Sequence, residues 1–199
     1  MLVSGGYNVS EPKQRLKLKD VPSWSDVEKM LTTMIKKYKS GVISLRDLCL
    51  IGLLATTGIR TSELLALTPM DFNFEDGLIT IKQLKKKGEF VRQTVISPDL
   101  KPYLKEYVSI FPPEKPIFSL TRRQVLNITH KYTEEILGRR YRNHAFRHAY
   151  AIRILEKTRD VELCRRLIGH SRIETVKIYL DFAIGDRIKD VLDAIKIGR

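Results

Sequence analysis

The 199-residue chain is 43% apolar, enough to bury the core of one self-folding domain, and its 36 Lys and Arg against 23 Asp and Glu leave a net charge of +13. A field that positive favours a polyanionic partner, nucleic acid first, although a merely solvated basic surface has the same composition. No apolar run reaches the length of a membrane span and the N-terminus lacks the apolar core of a signal peptide, so the sequence reads as that of a soluble intracellular protein with no membrane partner. Cys49 and Cys164 sit inside apolar helical patterns with neither paired nor metal-ligand spacing, which marks them as small core residues of a reducing compartment.

Residues 1–21 are polar and basic without periodicity, a flexible lead-in or linker remnant. Ser25-x-x-Glu28 then forms a capping box before an amphipathic helix carrying Val27, Met30, Leu31, Met34, Ile35 and Tyr38 at helical spacing. Ser44 opens a second helix whose near-continuous hydrophobicity implies burial, and Gly58 ends it. A short third helix over 62–67 stops at Pro69. The period then changes: 77–84 and 89–97 are rich in β-branched residues and predict two antiparallel strands joined by a turn of Lys85, Lys86, Lys87 and Gly88.

Ser97-Pro98 predicts a helix running through Phe111 and ended by Pro112-Pro113, and a further helix runs from Thr121 to Leu137, closed by Gly138. The last third is helical again over 144–158, 160–170 and 171–180, with Ser171-x-x-Glu174 as another capping box and Tyr179 near the end of the last piece. Beyond it Ile184, Ile188, Val191, Leu192 and Ile195 form an apolar stripe that must pack on something. The fold class is therefore mainly α (α+β), with a small antiparallel sheet.

His144 and Arg147 lie three apart at a helix start, which places both on one face near an N-terminus that attracts phosphate. Arg60 follows Gly58 at another helix start. Taken singly, these are an ordinary cap and ordinary solvated arginines. Taken in order, Gly58-x-Arg60-x-x-Glu63-Leu64-Leu65, a lysine in a β-hairpin, His144-x-x-Arg147, and Gly169-His170 with Tyr179 nine residues on form a combination that resembles the catalytic domain of the tyrosine recombinase (phage integrase) family.

The resemblance covers about 22–192 and implies a catalytic domain over 22–182 followed by a helical tail over 183–199. It implies Arg60 and Arg147 as the two catalytic arginines, His144 and His170 as the histidines, Tyr179 as the nucleophile and Glu63 as the acid that buttresses the first arginine. The hairpin lysine is one of Lys85, Lys86 and Lys87; aligning the segment with the family's Lys-Gly-x-x-x-Arg pattern favours Lys87, with Lys86 second. Family members usually carry an additional N-terminal helical domain that grips DNA from the opposite side, so the chain reads as an excised catalytic domain or a minimal form.

The chemistry accounts for these residue types. Attack on a phosphodiester develops negative charge on the non-bridging oxygens, and two guanidinium groups hold those oxygens without losing their own charge. A phenol is a weak nucleophile at neutral pH and needs nearby cations and a proton acceptor, a role His144 can fill, while His170 donates to the same phosphate. The departing 5′ oxygen needs a general acid, the hairpin lysine. The arginines stand where a two-metal nuclease has its ions, so neither metal nor cofactor is expected.

The implied activity is site-specific cleavage and rejoining of double-stranded DNA through a 3′-phosphotyrosyl bond, with a free monomer that assembles as a tetramer on paired sites. Integration of a mobile element is the leading role and Xer-type dimer resolution the alternative. A type IB topoisomerase shares the chemistry, but the Gly-His to Tyr spacing favours the recombinases. The competing class is a non-enzymatic helix-turn-helix DNA binder built on 153–180, which has no use for the full set of catalytic positions.

Overall fold

The computed structural model describes residues 20–85 and 88–169, together with Val176 and Tyr179; for 83–85 and 88–90 it describes the backbone only. Among the described residues, seven α-helices and a three-stranded antiparallel sheet follow one another as α1 (Trp24–Lys39), α2 (Leu45–Thr57), α3 (Thr61–Leu64), β1 (Phe72–Asn73), β2 (Leu78–Lys85), β3 (Gly88–Val95), α4 (Lys101–Val108), α5 (Arg122–Leu137), α6 (Asn143–Thr158) and α7 (Val161–Ile168). A 3-10 turn at Pro69–Asp71 leads into β1. Among the described residues no helix is long and apolar enough to cross a membrane.

Helix α2 is the axis of the core. Leu48, Cys49, Leu50, Ile51, Leu53, Leu54 and Ala55 are all buried, and α1, α4 and α6 pack around them. Ser44 caps its first turn by accepting from the Asp47 amide, and Gly58 ends it in the left-handed region at φ 61°. A side chain at Gly58 would place its Cβ 2.6 Å from the Tyr150 ring, so this position needs glycine for two separate reasons.

Helix α1 starts two residues earlier than its sequence suggests. Its capping box is Ser23 with Asp26, whose carboxylate accepts from the Ser23 amide at 3.0 Å, so Ser25 and Glu28 fall inside the helix. The expected helix from Ser97 is shorter too: the chain turns through 98–100, and α4 spans only Lys101–Val108. Thr121 and Gly138 bound α5 as expected, Thr121 by accepting from the Gln124 amide.

The sheet adds the two-residue β1 to the hairpin, in the order β1-β2-β3. Ile79 lies opposite Thr94 and Ile81 opposite Arg92. Arg92 and Thr94 form the inward face of β3, followed by buried Ile96 just past its end, while Val91 and Val95 face outward, 52% and 44% exposed. Polar residues turn inward here because partners await them: the Thr94 hydroxyl donates to the Thr57 carbonyl, and Arg92 meets Glu63. Helices α6 and α7 enclose a second apolar cluster of Tyr150, Ala151, Leu155, Cys164, Ile168, Val176 and Tyr179. The expected Ser171–Glu174 capping box and the stripe from Ile184 to Ile195 lie outside the described residues.

Candidate active site

Three helix ends and one strand meet at a single point. Arg60 is the N-cap of α3, and Glu63, at the third helical position, reaches back to accept from its amide at 2.9 Å and from its Nη1 at 2.7 Å. The carboxylate is therefore held by the helix start it caps. The same Glu63 accepts from Arg92 Nη2 at 2.7 Å, and Arg92 Nη1 donates to the Leu167 carbonyl at 2.6 Å. Glu63 and Arg92 are each 5% exposed, whereas about a third of the Arg60 side chain, 34%, remains open to solvent. Of the two cations bound by one carboxylate, the accessible one is Arg60.

Arg92 lies against Gly169, the glycine of the Gly-His pair. Gly169 has φ 68°, and a Cβ there would sit 2.5 Å from Arg92 Cδ. The glycine thus ends α7 and clears the path of the arginine.

Arg147 projects inward from α6 and is completely buried. Its Nη1 donates to the Gly58 carbonyl and its Nη2 to the Ile168 carbonyl, which ties α6 to the ends of α2 and α7. Its Nε is buried and finds no partner among the described residues. Burial lowers its pKa to about 10, with Arg60 and Arg92 adding repulsion while Glu63 and Tyr179 oppose the shift. It stays charged at neutral pH: a buried cation with a donor to spare, which is what an anionic ligand stabilises.

His144 and Arg147 do not share one open face, as their spacing suggested. His144 remains exposed at the first turn of α6, while Arg147 reaches inward. The exposed face of His144 notwithstanding, the surrounding protein lowers its pKa, first by desolvation and then through Arg147 and Arg60. The Asn143 amide donates to Thr61 Oγ1 at 3.0 Å and so joins the first turns of α6 and α3.

Tyr179 is helical, 3% exposed and part of the second apolar cluster. Burial raises its pKa to about 12, opposed by Arg147 and Arg60. Its hydroxyl lies 2.9 Å from His148 Nδ1. Burial, then His144 and Arg147, lowers His148 to about 4, so the imidazole is neutral at pH 7. With the Nε2–H tautomer assigned, the phenol donates to Nδ1. His144 and His148 stack edge to face with ring centroids 4.4 Å apart.

The structure thus brings Arg60, Glu63, His144, Arg147 and Tyr179 near one another, while Lys86, Lys87 and His170 lie outside the described residues and Lys85 ends β2. Two members of the cluster were not singled out from sequence. His148 lies four residues after His144, and helical spacing alone places them on one face. Arg92 has only its place in the lysine-glycine-arginine pattern as a signal, because an arginine in a strand is ordinarily a surface residue.

The phage integrase family model matches residues 24–184. Tyrosine recombinase XerD of Chlorobaculum tepidum is 28% identical over 189 residues, covering 86% of this chain and 60% of the relative. Tyrosine recombinase XerA of Pyrococcus furiosus is 30% identical over 184 residues, covering 86% and 63% respectively. The chain thus spans about three-fifths of the length of these relatives. Among solved structures, the XerH site-specific recombinase bound to a palindromic difH substrate, a post-cleavage complex, is similar at a TM-score of 0.72 and 25% identity, covering 88% of this chain and 53% of that one. XerA recombinase is similar in fold at a TM-score of 0.71 and 16% identity, covering 90% and 66%.

Proposed function

The chain belongs to the phage integrase family, and from that premise we propose that it is the catalytic part of a site-specific recombinase that cleaves and rejoins double-stranded DNA through a 3′-phosphotyrosyl bond on Tyr179. The observation that carries this reading is the convergence of the Tyr179 phenol and Arg147 in one buried cluster, with Arg60 open at its edge. A core tyrosine needs no guanidinium beside it. A phosphodiester attacked by that oxygen needs cations where charge develops.

Arg60 presents the accessible guanidinium, and Arg147 contributes its charge and its unpaired Nε from behind. Glu63 fixes Arg60 and prevents it from swinging to solvent. Lys87, with Lys86 as second choice, is assigned to protonate the departing 5′ oxygen, and His170 to hydrogen-bond the phosphate. The charge of +13 supports binding to the DNA backbone, and that binding should weaken steeply with salt. Since the phosphotyrosyl bond retains the energy of the phosphodiester it replaces, rejoining needs no nucleotide cofactor.

Strand exchange would proceed in a tetramer on paired sites inside the cell. Integration of a mobile element remains the first reading; the similarity to relatives named XerD and XerA favours dimer resolution as the second.

The test is covalent capture. Nicked duplexes of randomised sequence are incubated with the chain, and adducts that survive denaturation are isolated and sequenced. The parent should capture a defined sequence. Tyr179→Phe, which keeps the ring and its packing, should bind the captured duplex but form no adduct; an adduct at the parental level refutes the assignment of the nucleophile. A non-enzymatic helix-turn-helix binder would retain no duplex after denaturation.

A further inference from the structure

We infer that His148, rather than His144, is the group that takes the proton from Tyr179 when the phenol attacks DNA; this rests on the strand-transfer reading above and assigns a residue to a step of it. His148 Nδ1 is 2.9 Å from the Tyr179 hydroxyl, within direct proton-transfer distance. His144 stands one helical turn earlier, its ring against that of His148 rather than in a hydrogen bond to the phenol. The two histidines thus divide between an exposed one at the mouth and a half-buried one on the nucleophile.

The electrostatics suit a base that acts only once substrate is bound. In the free protein the groups facing His148 are His144, Arg147 and Tyr179; the two cationic or basic neighbours and burial together hold its ring neutral, the form able to accept. A scissile phosphate brings negative charge to Arg147, offsets the field that disfavours an imidazolium, and so raises the basicity of His148 when it is needed. His148 and His144 also border a cleft of about 490 Å³ beside Arg139 and Arg142, which gives the ring a route to solvent.

The step balances without any further reagent. The Tyr179 oxygen forms a bond to phosphorus, its proton passes to His148 Nδ1, and the bond from phosphorus to the 5′ oxygen breaks as that oxygen takes a proton from the general acid assigned to Lys87. Rejoining reverses each transfer, with His148 returning its proton to the tyrosine oxygen.

The experiment uses a nicked duplex obtained by covalent capture on the parent chain. His148→Asn keeps an acceptor atom close to the position of Nδ1 but cannot hold a proton, and adduct formation should fall by about 100-fold or more. A 5′-bridging phosphorothiolate should not restore it, since a better leaving group does nothing for the nucleophile. Imidazole added to His148→Ala should restore cleavage in proportion to its neutral form, and should not do so for His144→Ala. Parental rates for His148→Asn overturn the inference, as does rescue of His144→Ala alone. Slow cleavage by His148→Asn with no imidazole rescue of His148→Ala reduces His148 to a positioning residue and likewise overturns it. Failure of the parent chain to capture any duplex sinks the recombinase reading itself, a separate result from all of these.

Discussion

Replacing Glu63 with Gln isolates the ion network beneath Arg60. The carboxylate accepts from the Arg60 amide, from Arg60 Nη1 and from Arg92 Nη2, all within 2.9 Å. Gln has the same shape but no charge, and its amide nitrogen would turn a donor toward one of two guanidinium groups. Water reaches Arg60 and replaces what it loses, so its share is no more than about 1 kcal/mol. Arg92, with a side chain 3% exposed, is left as a buried cation facing other cations. Removing one partner of such a pair costs roughly 3–5 kcal/mol, and we expect a total near the lower end, about 3 kcal/mol. For a chain of this length that is a fall of roughly 6–12 °C in melting temperature.

Urea unfolding followed by circular dichroism measures it as a lower midpoint at unchanged slope. Adding Arg92→Met to Glu63→Gln removes the stranded cation, so the double variant should be more stable than the sum of the single losses by at least about 1 kcal/mol. A Glu63→Gln loss below about 1 kcal/mol, or strictly additive variants, would refute the reasoning that the stability lost with the carboxylate comes chiefly from stranding Arg92.

Acid sensitivity follows from the two histidines. Because the folded protein holds His148 at about 4 and His144 below its ordinary 6.5, the unfolded chain binds protons first, and stability should be lost as pH falls from about 6.5 toward 4. His148→Asn should lessen that loss, by on the order of 2 kcal/mol at pH 4, as read from urea midpoints across the range. Lys87→Ala should cleave ordinary DNA poorly yet cleave a 5′-bridging phosphorothiolate nearly as well as the parent, whereas Arg147→Ala should remain defective on both; rescue confined to Lys86→Ala would move the general acid by one position. Burial raises the thiols of Cys49 and Cys164, the latter to about 12, so iodoacetamide at pH 7.5 should label neither until urea unfolds the chain, as mass spectrometry would show.

The sequence by itself determined the helical class and the hairpin, and its motif order named Arg60, Glu63, His144, Arg147 and Tyr179, but neither Arg92 nor His148. Ser44, Gly58, Thr121 and Gly138 act through a single helix turn, so their caps and stops are readable from the chain. The pairing of Arg60 with Glu63 came from the family resemblance, and the structure gives it a local cause: a carboxylate three residues into a helix reaches its own N-cap. Where a local signal had a rival within two residues it was misread: Ser25-x-x-Glu28 and Ser23-x-x-Asp26 are both plausible boxes, and the structure uses the second.

Only the tertiary structure decided which side chains turn inward on β3 and what they meet. Periodicity fixes that Arg92 and Thr94 share a face but not which face is buried, and apolar Val91 and Val95 argue for the wrong one. The choice is made by Glu63 and the Thr57 carbonyl, supplied from 29 and 37 positions away. Likewise, the pattern His144-x-x-Arg147 fixes an angle around α6, yet Arg147 points inward because the carbonyls of Gly58 and Ile168 lie there to receive it. The pairing of His148 with Tyr179 spans 31 residues and exists only because folding sets the phenol beside α6. Caps and periodicity are properties of neighbouring residues; the pKa values and proton contacts of the site depend on burial and on charges brought together by packing, which no stretch of the chain contains alone.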